Sequence, residues 1–178
     1  MAKDIAAGWE DGAPYAKAYL EPGPANAAYH TQKEVTLELF KTFATGIEMV
    51  RDQKMAKALG AKPDQARPQL APFWRSDLSF SNMADNLQSV RELFAKGGFA
   101  QVVHDDSPGV EDSIVFDLNH AIEVLRGLDK PITQAVHNED LRAKLEALRV
   151  SLKSAATTAG DIISRSAGLT FGFNAMDG

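Results

Sequence analysis

The sequence predicts an all-α protein built as an antiparallel four-helix bundle. Three observations carry that expectation. Long segments space their apolar residues three and four apart, as one face of a helix requires. Pro and Gly concentrate between those segments, so the connections read as turns. Strand-like alternation occurs only near the end, at Leu169, Phe171 and Phe173, with no second strand to pair with it. Four amphipathic helices cannot each cover an apolar stripe alone, and a bundle is the simplest arrangement that covers all four.

Residues 1–25 read as an entry segment and turn. Ile5 and Trp9 stand one helical turn apart, but Gly8, Gly12 and Pro14 interrupt, so a helix end running into a bend is expected. "EPGPAN", Glu21 to Asn26, is a turn by composition. Residues 26–178 read as the bundle domain with a closing C-terminal segment. Thr31 and Glu34 have capping-box spacing. Leu37, Phe40, Ala44 and Ile47 then form a stripe, and Gly60 should end that helix after Leu59. "GAKPDQARPQLAPF" is a connection.

The third long helix is expected to start at Ser76 or Asp77, either of which can cap. Its stripe is Phe80, Met83, Leu87, Val90 and Phe94, and Gly97-Gly98 stops it. "HDDSPG", His104 to Gly109, reads as a loop. The fourth helix carries Ile114, Leu118, Ala121, Leu125 and Leu128, and Pro131 breaks it. The last is the clearest. Asn138 is a good N-cap, Glu139 and Asp140 suit the positive helix end, and Leu141, Leu145, Leu148, Leu152, Ala155, Ala159 and Ile162 keep an unbroken heptad spacing. Phe80, Met83, Leu87, Val90, Leu141, Leu145, Leu148 and Leu152 are expected in one core.

Composition narrows the function classes. The net charge is −5, with both signs interspersed and no Lys/Arg stripe, which argues against a nucleic-acid partner. There is no cysteine, so disulfides and thiolate metal sites are excluded. No run of about 18 apolar residues occurs, so no membrane span is expected. The start, "MAKDIAAGWEDG", lacks the basic-then-apolar order of a targeting signal.

Three candidate sites can be weighed. His120 and Glu123 form an H-x-x-E pair on one helix face, but a zinc or iron site needs three or four protein ligands and no second such motif accompanies it. Asp117, His120 and Glu123 read instead as a polar face. His30, His104 and His137 stand near turns or helix starts, and His104 with Asp105 and Asp106 supplies too few oxygens for a hard cation. No catalytic and no metal-ligating residue is therefore assigned. "FWRSDLSFSN", Phe73 to Asn82, is more suggestive. Arg75 and the Ser76 and Ser79 hydroxyls stand where a proline-rich loop becomes a helix, a place suited to an anion or carboxylate. The competing reading is a capped helix start anchored by Phe73 and Trp74.

Two motifs now become interpretable. "GFNAMDG", Gly172 to Gly178, resembles the G-F-N-x-x-D-G signature that closes the imelysin-like family. "FWRSDLSFSNMADNLQSV" resembles its R-S-x-x-S-x-x-x-x-x-x-N-L stretch, onto which Arg75, Ser76, Ser79, Asn86 and Leu87 fall. "GWEDG" and "LEPGPANAAYHT" are similar to the segment preceding the family's second bundle.

The resemblance implies that this chain is the second bundle of a two-bundle protein. It implies a bacterial cell-envelope or periplasmic setting, a link to iron uptake and, in some members, metallopeptidase activity. The family's G-x-H-x-x-E belongs to the first bundle. Here Leu118 replaces the glycine two residues before His120, so the metal role is not carried onto His120 or Glu123. The implied metal, iron or zinc, would belong to a partner N-terminal half. This chain alone then reads as a ligand-binding or structural module, and the reading leans away from an enzyme while leaving that open. Its ligand-binding residues would be Arg75, Ser76, Ser79, Asn174 and Asp177. The alternatives are part of a metallopeptidase, or a bundle used purely for protein interaction.

Overall fold

The computed structural model describes residues 2–166. Every regular element among them is helical. The chain divides into two compact units, Met1–Thr42 and Phe43–Gly178.

In the first unit the entry segment forms two short helices, α1 (Ala2–Gly8) and α2 (Pro14–Leu20), where the sequence suggested one helix end and a bend. Pro14 can open α2 because the first turn needs no N–H donor there. Asn26 holds the following turn with both ends of its amide. Its Nδ2 donates to the Ala18 and Glu21 carbonyls at 2.9 and 3.0 Å. Its Oδ1 accepts from the Ala28 and Tyr29 N–H groups at 2.8 and 3.0 Å. Trp9, Tyr19 and Tyr29 stack in series, with ring centroids 5.1 and 4.9 Å apart. The Tyr29 hydroxyl donates to Tyr19 at 3.0 Å, and that bond pushes its pKa up to about 12. Helix α3 (Gln32–Glu48) begins with the expected cap, the Glu34 N–H donating to Thr31 Oγ1 at 3.2 Å. The Glu34 carboxylate reaches back to the His30 N–H at 2.5 Å.

The second unit is the bundle. From Met49 to Ala56 the α3 helix widens into a π-helix, then closes with an α turn, Lys57–Leu59. Gly60 ends it at φ 63°, where a Cβ would meet the Gln65 carbonyl. Two 3₁₀ turns, Pro63–Gln65 and Pro68–Leu70, fill the connection. Helices α4 (Ser79–Lys96), α5 (Phe99–Asp106), α6 (Val110–Arg126), α7 (Ile132–Ala135) and α8 (Glu139–Ser166) follow.

Two sequence expectations are corrected. Helix α4 starts at Ser79, not at Ser76 or Asp77, and no side chain caps it. Asp77 instead takes a left-handed turn at φ 57°. His104–Asp106 belong to α5 and not to a loop, because Phe99 and Val103 bury one turn apart and extend the helix through them.

Cross-helix contacts set the directions. Gly46 abuts Val90 while Lys54 reaches Asn82 and Asn86, so α3 and α4 run antiparallel. Arg126 bonds Asp85 and Arg91 bonds Asn119, so α4 and α6 do too. Arg142 binds the carbonyls of Leu59 and Gly60, which places the start of α8 at the end of the π-containing helix. Asn138 caps α8 as expected, accepting from the Leu141 N–H at 3.0 Å. Seven of the eight expected core residues are buried, and only Leu141 is half-exposed. Each fully buried Leu or Met contributes about 1.5–3 kcal/mol relative to exposure.

Candidate functional site

The loop leading into α4 is built around strain. Phe73 and Asp77 are non-glycine residues at φ 59° and 57°, a conformation that costs roughly 1–2 kcal/mol for each L-residue. Something must hold them there. The Phe73 carbonyl accepts three bonds, from the Ser76 N–H at 3.2 Å, the Leu78 N–H at 3.3 Å and the Ser76 hydroxyl at 3.2 Å. Ser79, 1% exposed, donates its hydroxyl to the Pro72 carbonyl at 2.7 Å. The loop is thus closed at both ends.

That closure presents a defined surface. The Arg75 guanidinium lies over the Trp74 ring, 4.7 Å from its centroid, a cation–π contact that restrains the cation while leaving it exposed. Leu70, Phe73 and Leu78 of the same connection are each more than half exposed. The uncapped start of α4 adds backbone N–H donors that lack intrahelical partners. Of the three described candidates, Arg75 and Ser76 face solvent, whereas Ser79 is turned inward and shapes the loop. Asn174 and Asp177 lie outside the described residues.

Behind the loop, Asn82 and Asn86 continue the Ser79 face of α4 at helical spacing. Both amide oxygens accept from Lys54 Nζ, Asn82 Oδ1 at 2.7 Å. Partial burial holds the Lys54 pKa below the usual lysine range, and both partners are neutral. Lys54 points there from the π-helix. Beside it, Arg51 grips Asp52 with two bonds, Nε to Oδ1 at 2.9 Å and Nη2 to Oδ2 at 2.5 Å. That pairing, reinforced by Arg149 and Lys153 of α8, holds the Asp52 carboxyl below its ordinary range. Burial pushes Glu48 up. The sequence reading missed this cluster. Through the π-helix the buried stripe steps five residues, from Val50 to Met55, which a reading in steps of three and four does not follow.

The discounted sites have their own partners. His120 lies exposed and parallel to the Phe116 ring, 6.2 Å away. His104 pairs with Glu111 across the α5–α6 turn, Asp105 bonds Gln101, and Asp106 bonds Ser107 and Arg165. Among the described residues no three His, Asp or Glu side chains converge to hold a metal ion.

Residues 1–159 match the Imelysin family, also designated Peptidase M75. The chain belongs to the imelysin family. No curated protein and no solved structure matches it. Within this imelysin chain, the R-S-x-x-S-x-x-x-x-x-x-N-L stretch has a structural meaning. Ser79 closes the loop and Asn86 receives Lys54, so the motif joins the loop to the π-helix. The donor set of residues 2–166 does not fit the metal that the family implies, and no chemistry through it is assigned to them. Among the described residues no helix is long and apolar enough to cross a membrane.

Proposed function

We propose that this imelysin chain is the ligand-binding and structural module of a bacterial cell-envelope protein linked to iron acquisition, working beside an N-terminal bundle that carries the metal. The observation that supports this reading most is the Pro72–Ser79 loop. Two strained residues hold an exposed guanidinium beside an uncapped helix start. Such strain concentrates at ligand clamps. The loop's chemistry suits a carboxylate-rich anion, and for an iron-linked protein a negatively charged iron chelate. Arg75 would carry the charge, Ser76 would supply a hydroxyl and Ser79 would hold the loop. Asn174 and Asp177 join the proposal through the resemblance alone. In this reading the family's peptidase chemistry belongs to the half bearing G-x-H-x-x-E, and this chain contributes no catalytic residue.

The test uses calorimetry with ferric citrate and with citrate alone. Arg75→Ala should weaken binding about tenfold, the effect of one charge-assisted hydrogen bond. Stability should change by well under 1 kcal/mol, as for an exposed charge. Unchanged binding in the variant would remove the site. Fractionation of cells making the complete protein tests the envelope assignment.

A second reading is favoured by the exposed Leu70, Phe73 and Leu78. Here the same loop is the surface on which the N-terminal bundle docks. Phe73→Ser would then loosen docking while leaving ferric citrate binding intact.

A further inference from the structure

A groove of about 490 Å³ lies between α6 and α8. Val124, Leu128, Ala147 and Leu148 give it an apolar lining, and its polar side chains stand at the ends. Arg165, near the end of α8, bonds Asp106 just before α6, so the two helices run antiparallel. That direction sets His120 opposite Ser151 at one end of the groove and Gly127 opposite Lys144 at the other. Each side, His120–Gly127 and Lys144–Ser151, spans about 10 Å at the helical rise.

We infer that this groove binds a medium-chain monocarboxylate, its alkyl chain along the apolar lining and its carboxylate on Lys144. Charge is the first argument. The basic residues flanking Lys144 on α8 are already engaged, since Arg142 and Arg149 both bond Glu146. Lys144 is exposed and has no carboxylate partner among the described residues. One ammonium at one end of an apolar groove matches one carboxylate at one end of an apolar chain. Such a site, mostly apolar with a few polar groups that fix orientation, is the usual form of a small-molecule pocket.

Shape is the second. A volume of about 490 Å³ over about 10 Å leaves a section roughly 7–8 Å across. A helix with its side chains needs about 10–12 Å, too wide for the groove to seat. An extended peptide is narrower, but its amide groups would face Val124, Leu128 and Leu148 without hydrogen-bond partners, a costly desolvation. An alkyl chain has no such groups to satisfy.

The far end is the third. Phe116 stands one turn before His120 on α6, its ring parallel to the imidazole at 6.2 Å. It is 68% exposed, and it continues the apolar lining past His120 for the end of a longer chain. Arg75 and its loop take no part in this site.

Calorimetry with octanoate and decanoate, both below their micellar concentrations, tests the site in the full chain. Decanoate is expected to bind one to one, about fourfold more tightly than octanoate, since two further methylenes leave water over part of their surface. Lys144→Gln should weaken decanoate about fivefold and leave decanol unchanged. Lys153→Gln removes the same charge from the opposite face of α8 and should change neither. Ala147 is exposed, so Ala147→Trp fills the groove without entering the core and should abolish binding of both ligands. Absence of decanoate binding to the wild type would overturn the inference. So would undiminished binding to Ala147→Trp, or an equal effect of Lys144→Gln and Lys153→Gln on decanoate.

Discussion

Lys54 Nζ donates to Asn82 Oδ1 at 2.7 Å, and this bond joins the π-helical segment to the helix that follows the strained loop. The amine is partly desolvated and its acceptors on α4 are neutral. Removing one acceptor should therefore hurt more than removing the charge. Asn82→Ala is expected to cost roughly 1.5–3 kcal/mol, the range for hydrogen bonds to charged groups. Lys54→Met should cost less than Asn82→Ala, because a partly desolvated charge is removed and the half-buried Asn82 and Asn86 oxygens it leaves can turn to water. Chemical denaturation at pH 7 measures both, and a larger loss in Lys54→Met than in Asn82→Ala would contradict the account. The sign with pH follows. A lysine whose folded pKa is depressed binds fewer protons folded than unfolded, so its contribution becomes more favourable as pH rises through the folded value.

Gly46 opposes Val90 so closely that a Cβ would lie 2.5 Å from Val90 Cγ2. Alanine in a helix gains roughly 0.5–1 kcal/mol over glycine, but overpacking a core costs typically 1–3 kcal/mol. Val90 is β-branched and cannot swing aside easily. The clash should win, and Gly46→Ala should lower the unfolding midpoint. In a Val90→Ala background the same substitution should raise it. A double-mutant cycle reads this sign reversal directly.

Arg142 is 9% exposed and donates to the Leu59 carbonyl at 2.7 Å and the Gly60 carbonyl at 2.9 Å. It thereby satisfies the last carbonyls of the π-containing helix. Arg142→Ala should cost roughly 2–4 kcal/mol, since hydrogen bonds to a charged group are lost and buried carbonyls are left bare. Arg142→Lys should recover only part, because an ammonium lacks the planar fork that spans both oxygens. Equal stability of Arg142→Lys and wild type would show that charge alone suffices.

His104 and Glu111 form an exposed pair that is sensitive to pH. The hydrogen bond that His104 donates to Glu111 raises the His104 pKa, and the same bond lowers that of Glu111. The histidine's contribution is complete below its ordinary value of about 6.5 and is lost as pH rises through the raised value. The carboxylate's contribution is complete above its ordinary value of about 4.3 and is lost as pH falls through the lowered value. The pair therefore supports the α5–α6 turn best between those two ordinary values. Titration by NMR should place His104 above 6.5 in wild type, and Glu111→Gln should bring it down.

The parts of the fold legible in the sequence were those repeated along a helix. The stripe from Phe80 to Phe94 and the one from Leu145 to Ile162 each place many side chains on one face, so single errors average out. Asn138 and Thr31 were legible because a cap acts within three residues. The α4 start was not. Ser76 and Asp77 are both good caps, yet the chain sends Asp77 through a left-handed turn so that Ser79 can reach the Pro72 carbonyl. Ser79 accordingly reads as a ligand residue from its motif, and in the structure it is buried.

By itself the sequence determined the helical class, the bundle's buried stripes and membership of the imelysin family, because all three follow from residue order. Tertiary structure decided which polar residues meet. Lys54 and Asn86 are 32 positions apart, and Arg142 and Leu59 are 83 apart. Their pairing depends on the packing of separate helices and on the π-helix from Met49 to Ala56. Local periodicity carries no record of either, because it describes one helix at a time.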